Sequence, residues 1–449
     1  MLESERRARG FGHGLREPPS YAAVCEGRLD ARRCRASTQG YMAEEPTLAV
    51  DSSAEPLRAR LQSFEIRNFR VIKQERLAVH PRVTAIVGRN DVGKSTLLKA
   101  IELYGWARQG AFSGLLTRDD INSTRGRSTQ LIAEWEVSGG VWRHSLDCDL
   151  NAPEERLEHE GLVWKWRPLQ MQLEAPQGTF TLSHGDLGMS LAEIEPKRWR
   201  IDAGAPRDAC EPLAVTRAFR TPRAYLFEPS ALMKSAPISL TDATRNGVGW
   251  SFWLQEVITR RDNDITRLEE EVKKLFPFFR SVEIKKTFST SRNLVGRQAF
   301  LDVVVSLASS EGFGGRGEPV RAGWVSSGLL LALAHFALIF APDKGSLILL
   351  EEPENGMNAR ITFDMMKSFL AVIREREHQL IFTTHNEWWL DLVEPESIRV
   401  LTRDSDGAHI HDPAKEQMKK LLKDSDVYPS EIMSTLGPEG LLGVQAPQR

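Results

Sequence analysis

Residues 88–95 read GRNDVGKS, and Gly88, Gly93, Lys94 and Ser95 satisfy the pattern G-x-x-x-x-G-K-[ST]. The stretch before it, Val83-Thr-Ala-Ile-Val87, is short, apolar and β-branched, as a buried strand should be. The stretch after it, from Ser95 to about Gly105, sets Leu97, Leu98, Ile101 and Leu103 among helix formers and predicts a helix that ends at the glycine. Strand, glycine loop and helix together predict a phosphate cradle rather than an ordinary glycine turn. Backbone N–H groups of Gly88, Arg89, Asn90, Asp91, Val92, Gly93, Lys94, Ser95 and Thr96 would converge on phosphate oxygens, and the helix N-terminus adds the positive end of its dipole. Lys94 would reach the β- and γ-phosphates, and the Ser95 hydroxyl would ligate Mg²⁺. The expected ligand is a nucleoside triphosphate.

The rest of the composition narrows the setting. The chain has 449 residues, enough for two or three domains or for one large α/β domain with an insertion. Its 59 Lys+Arg nearly balance 61 Asp+Glu, so no global field announces a nucleic-acid or membrane partner. Cys25, Cys34, Cys148 and Cys210 show no metal-type spacing, and their scarcity suits a reducing cytoplasm. The longest apolar run, Leu329 to Pro342, is too short to span a bilayer. Residues 1–55 are rich in arginine with interleaved acids and little apolar periodicity, and are expected to be a disordered leader; Met42 offers a second candidate start.

From Leu61 the pattern sharpens. Leu61–Ile66, Arg76–Val79, Gln130–Val137, Val141–Asp147, Ser281–Lys286 and Ala299–Leu307 read as strands, 150–220 as β-rich with loops, and Glu311–Glu318 as a glycine-rich turn. Glu256–Phe276 reads as one amphipathic helix with Ile258, Ile265, Leu268, Val272 and Leu275 on one face, far too short for a long coiled coil. Ser326-Ser327-Gly328 opens a long apolar helix, Leu329–Phe340. Gly345–Leu350 and Gln379–Phe382 are continuous apolar runs, the mark of strands buried on both faces of a parallel sheet. Between them a helix turns Ile361, Met365, Met366, Phe369, Leu370 and Ile373 inward.

In an α/β sheet ligands sit beyond the carboxyl ends of the strands. The phosphate loop, Glu351/Glu352 and His385 each follow such an end, which predicts one shared crevice. Hydrolysis of ATP needs neutralised phosphates, a held Mg²⁺ and an oriented water. Lys94 serves the first need and Ser95 with Glu351 the second. Glu352, one residue further out, is placed to align or deprotonate the water, and His385 to contact the γ-phosphate.

These motifs resemble the ABC-type ATPase heads of the RecF, OLD and SMC group, in particular the stand-alone AAA-family ATPases of bacteria. The resemblance covers roughly Leu61 to Val400. IRNFRVIK at 66–73 with VGRNDVGKSTLLKAI at 87–101 looks like the group's first strands and Walker A loop. VSSGLLLALAHFAL at 325–338 is similar to its signature and following helix, LILLEEPENG at 347–356 to its Walker B strand, and IFTTHN at 381–386 to its switch-histidine strand. The stretches 224–230, 247–250 and 275–278 look like its second lobe. The resemblance implies an α/β P-loop NTPase fold, an ABC-type head spanning 56–405, with 140–325 as an inserted β-rich and helical second lobe and 406–449 as a C-terminal tail. It implies that Ser326 and Gly328 bind the γ-phosphate held by a second subunit, so that ATP and Mg²⁺ join a homodimer, and that Glu352 is the catalytic base.

Three departures stand out. Glu351 occupies a position where Asp is usual, Met357-Asn358 replaces Leu-His-Pro, and the Q-loop glutamine is open among Gln130, Gln170 and Gln172. Residues 405–449 leave too little room for a TOPRIM nuclease. The implied role is DNA repair or phage defence, acting on nucleic acid or on a separately encoded effector such as a nuclease, with no membrane. Lys285, Lys286, Arg292 and Arg297 are the candidate DNA contacts. Two alternatives remain: the nucleotide-binding subunit of a membrane transporter, and an ATP-binding switch with little hydrolysis.

Overall fold

The computed structural model describes residues 58–107, 128–149, 154–167, 172–176, 178–181, 215–216, 219, 223–240, 243–260, 263–288, 299–308, 318–413 and 428–442. All of them fall in the unit Pro56–Arg449. The expected leader, the glycine-rich turn apart from its last residue, Gln170, Arg292 and Arg297 lie outside the described residues.

A long antiparallel sheet begins the chain with β1 (Ala59–Phe69) and β2 (Ile72–Ala78). Next come β3 (Val83–Val87) and helix α1 (Lys94–Ala107). The helix runs through Gly105 instead of ending there: Leu103 and Tyr104 are buried, and packing outweighs the glycine's weak helix propensity. β4 (Ser128–Val137), β5 (Gly140–Asp149), β6 (Glu154–His159), β7 (Leu162–Arg167), β8 (Gln172–Ala175) and β9 (Gly178–Thr181) extend the first sheet in the order β2-β1-β4-β5-β6-β7-β8-β9. Strand alternation explains β7, where Trp164 and Trp166 point into the core and their neighbours outward. A buried polar chain fastens α1 to this sheet. Tyr104 Oη lies 2.7 Å from His144 Nδ1, His144 Nε2 lies 2.7 Å from Glu155, and Trp135 Nε1 donates to Tyr104 Oη at 3.0 Å.

The second sheet is built from β3 and the later strands. These are β10 (Ala224–Tyr225), β15 (Leu347–Glu351), β16 (Gln379–Thr383), β17 (Ile398–Arg403) and β18 (Ala408–His411), in the order β10-β15-β16-β3-β17-β18. All neighbours are parallel except β18 on β17. Every residue of β3, β15 and β16 is buried, which accounts for their unbroken apolar runs. Alternate side chains serve two cores: Ile348 and Leu350 face the helices, Leu347 and Leu349 the α1 side.

Between β10 and β15 lies a third, antiparallel sheet of β11 (Ala236–Pro237), β12 (Phe279–Phe288), β13 (Ala299–Leu307) and β14 (Glu318–Arg321). Helices α2 (Pro229–Leu232), α3 (Ser251–Thr259), α4 (Asp264–Leu275), α5 (Ser327–Phe340), α6 (Ala359–Glu375) and α7 (Pro429–Leu436) complete the elements. The segment 140–325 is therefore shared among all three sheets. Residues 406–449 contribute β18, α7 and the buried Leu441.

The single helix expected over Glu256–Phe276 is two. Arg260 is extended and Asn263 is left-handed (φ 57°), which ends α3 and starts α4. Ile258 and Ile265 are seven residues apart, two helical turns, so the apolar periodicity reads straight through the break. A buried pair pins α4 to the end of α6. Arg376, capping α6, holds Asp264 at 2.7 Å and donates to the carbonyls of Phe340 and Pro342 at 3.0 and 3.1 Å.

His335 in α5 yields a pH prediction. Its ring is 1% exposed, its Nδ1 lies 2.7 Å from the Leu331 carbonyl, and its Nε2 has no partner among the described residues. Burial lowers its pKa from 6.5 to about 4, against the pull of the Leu331 carbonyl. The fold keeps the ring neutral while the unfolded chain protonates it. Its contribution is therefore complete above pH 6.5 and drains as pH falls toward 4. Between pH 7 and 5 the loss is about 2 kcal/mol. Denaturant melts at the two pH values should show His335→Leu losing that much less than the parent; an equal loss in both would contradict the assignment.

Candidate functional site

The phosphate loop leaves β3 at Gly88 and enters α1 at Lys94. Two glycines are dictated by geometry. A Cβ on Gly88 would stand 2.5 Å from the Leu401 carbonyl oxygen, and Gly93 has φ +113°. Asp91, at φ 63°, completes the turn, and its carbonyl accepts a bond from Arg403 at 2.9 Å. Arg89 pairs with Glu439 at 3.1 Å, which brings the segment following α7 onto the loop. Lys94 is 6% exposed, and its ammonium donates to the Gly88 and Arg89 carbonyls at 2.9 Å each. Burial lowers its pKa, while Glu352, Glu354, Glu351 and Asp91 oppose the shift, so those carboxylates lie within electrostatic reach of it. Ser95, one residue on, is exposed.

Strand register carries the remaining groups to the same edge. Glu351 pairs with Thr383 across β15 and β16, and Thr383 pairs with Ile86 of β3, two residues before Gly88. Glu352 then turns into the left-handed region (φ 44°), a conformation that a non-glycine residue adopts at a cost and that clusters at active sites. Its N–H is held by the Thr383 carbonyl at 3.0 Å and hydroxyl at 3.2 Å. Both carboxylate oxygens are engaged: His385 Nε2 lies 2.9 Å from Oε1, and Asn355 Nδ2 donates to Oε2 at 2.8 Å. The sequence-predicted base and switch histidine are thus joined directly.

Two further groups of the site escaped the sequence. Glu354 is half-buried, and its Oε1 accepts from the Thr384 hydroxyl at 2.8 Å and from the N–H groups of His385 and Asn386 at 2.7 and 3.3 Å. It fixes the backbone that carries His385. Burial raises its pKa against those hydrogen bonds. Arg245, in the loop between β11 and α3, forms an ion pair with Glu351. The E-P-E spacing hinted at Glu354; nothing local marked Arg245.

Ser326 and Gly328 are not part of this cluster of bonds. Ser326 is the exposed N-cap of α5, with its hydroxyl making no capping bond, and Gly328 is the second residue of the helix. Gln130 and Gln172 are bound within the antiparallel sheet, to Asp147 at 3.0 Å and to Arg167 at 3.4 Å, and supply no described contact to the phosphate loop. Of the candidate DNA contacts, Lys285 pairs with Glu283 at 2.9 Å and Lys286 stands 5.8 Å from the Phe288 ring centre.

The donor set suits a hard cation that keeps water and phosphate in its shell, one hydroxyl (Ser95) and one buried carboxylate (Glu351), provided the carboxylate is released by Arg245.

Residues 60–104 match the family described as an AAA ATPase domain, and residues 216–387 match one described as an AAA domain, putative AbiEii toxin, Type IV TA system. The first match carries Lys94 and Ser95, the second Arg245, Ser326, Glu351, Glu352 and His385. Among solved structures the chain is similar to the SMC head domain from Thermotoga maritima, with 14% identity and a TM-score of 0.39 over 79% of this chain and 98% of that one. It is also similar to a Smc head domain with an extended coiled coil bound to the C-terminal domain of ScpA, derived from Pyrococcus furiosus, with 12% identity and a TM-score of 0.44 over 82% and 99%. No curated protein matches the chain. The phosphate loop and the parallel sheet define an α/β fold of the P-loop NTPase kind, two stretches of which match AAA-domain families. No helix among the described residues is long and apolar enough to cross a membrane.

Proposed function

We propose that this head binds and hydrolyses ATP and that ATP joins two copies face to face. The observation that carries the reading is the pairing of Glu352 with His385 and Asn355 at the strand edge from which the loop to Lys94 departs. Lys94 neutralises the β- and γ-phosphates, Glu352 orients and deprotonates the attacking water, and His385 reports on the γ-phosphate through its bond to Glu352. Mg²⁺, when bound through Ser95 and Glu351, supplies charge neutralisation on the phosphate oxygens. Ser326 and Gly328 serve the partner's nucleotide, in keeping with the exposure of Ser326 and with their lying apart from their own chain's cluster. Trp324, 86% exposed and two residues before Ser326, gives that face apolar area for a second copy to cover.

The dimer is read as a switch for DNA repair or phage defence, working on nucleic acid or on a separately encoded effector. The description of the matched family as a putative toxin of a toxin–antitoxin system favours defence. A second reading, an ATP-binding switch with little turnover, draws on the engagement of Glu351 by Arg245.

Replacing Ser326 with Arg tests the face. The side chain is exposed, so the fold tolerates it, while the bulk blocks the partner's phosphate. Equilibrium dialysis should give parent-like ATP affinity and size-exclusion chromatography with ATP a monomer. A dimer that forms as readily as the parent's would remove Ser326 from the interface.

A further inference from the structure

Arg245 is the charged group of the site that this scheme does not use. Its guanidinium pairs with Oε2 of Glu351; the two side chains are 36% and 7% exposed. The loop behind it is built to aim it. Thr244 N–H donates to the Val248 carbonyl at 2.8 Å, Gly247 N–H to the Thr244 carbonyl at 2.9 Å, and Glu228 N–H to the Asn246 carbonyl at 3.0 Å. Leu226 N–H donates to the carbonyl of Arg245 itself at 2.9 Å, directly after β10, whose Tyr225 pairs with Leu350 of β15. Gly247 (φ +98°) closes the turn where a Cβ would meet Leu232 at 2.5 Å. The backbone that carries Arg245 is thus tied to the strand that carries Glu351.

A guanidinium and a metal cation drawn to the same carboxylate oxygen repel each other at close range, so Arg245 and a cation compete for Glu351. Among charged groups, the planar fork of arginine is also the one whose geometry matches phosphate oxygens. We propose that Arg245 is a resident counter-cation of the nucleotide site: it holds Glu351 until Mg·nucleotide loads, then releases the carboxylate for metal ligation and turns its guanidinium to the phosphates beside Lys94. This rests on the ATP-binding reading above. It would couple metal arrival to completion of the phosphate clamp, so that nucleotide without metal leaves the site half assembled.

Equilibrium dialysis of the ATP analogue AMP-PNP and of ADP against the full chain, with Mg²⁺ varied, separates the cases. In Arg245→Ala the Mg²⁺ concentration at half-saturation should fall about 5-fold, since Glu351 has lost its competitor. The preference for AMP-PNP over ADP at saturating Mg²⁺ should fall about 10-fold with the lost phosphate contact. If the Ala variant folds poorly by circular dichroism, Arg245→Lys carries the same test, with an expected Mg²⁺ shift of about 2-fold because the charge stays and the fork goes. A parent-like Mg²⁺ midpoint in the folded variant overturns the proposal. Parent protein that binds no AMP-PNP at any Mg²⁺ concentration would instead overturn the ATP reading on which it rests.

Discussion

Lys94→Ala is expected to lower ATP affinity about 100-fold or more and to bring turnover to background, while the protein still melts as a folded domain. The ammonium is nearly out of water, its two visible bonds run to carbonyls of its own loop, and its pKa is lowered by burial. Among the described residues no carboxylate bonds this buried cation directly, the arrangement expected of a lysine that receives phosphate. Charge-assisted contacts to phosphate are worth about 1.5–3 kcal/mol each, and a lysine bridging two phosphates makes more than one. The fold should survive because the substitution removes a desolvated charge at the same time as its two hydrogen bonds. ATP dialysis and a phosphate-release assay check this. A variant that hydrolyses ATP at the parent rate would show that residues 88–95 are a glycine turn and nothing more.

How much of this was legible in the sequence depends on what kind of contact decides each element. The parallel strands Val83–Val87, Leu347–Glu351 and Gln379–Thr383 are buried on both faces, so each is a bare apolar run, and their ends announce the site. Glu352 and His385 were readable because each follows such an end. Arg245 was not, because its partner lies more than a hundred residues along the chain and only the pairing of β10 with β15 brings them together. Glu354 shares a motif with Glu351 and Glu352, yet its task is set by the N–H groups of the next strand's exit. The break at Arg260–Asn263 was hidden for a simpler reason: the apolar period continues across it. The helix stop predicted at Gly105 failed because burial of the helix outweighed a local propensity.

The second large effect is expected from Glu352→Gln. Gln keeps the length of the side chain, and its carbonyl and amide can still meet His385 and Asn355, so the strand-edge geometry persists. What it loses is the proton-accepting oxygen. Removal of a general base typically costs ~10²–10⁴-fold in rate, and turnover should fall by that much while ATP affinity stays near the parent's. If ATP is the glue between two heads and hydrolysis its release, this variant is loaded and unable to let go. It should then accumulate as a long-lived dimer in ATP and revert when ATP is removed. The positive-φ backbone at Glu352, held by Thr383, makes a smaller substitution such as Gly a poorer test, because it would relax the turn as well as remove the base.

Sedimentation velocity of Glu352→Gln, with and without Mg·ATP, is the measurement that reaches the central claim most directly. An ATP-gated head predicts a monomer without nucleotide and a species of twice the mass with it, returning to monomer after dialysis. The same mass in both conditions, always monomer or always dimer, would contradict the account and leave a nucleotide-binding domain whose coupling is of another kind.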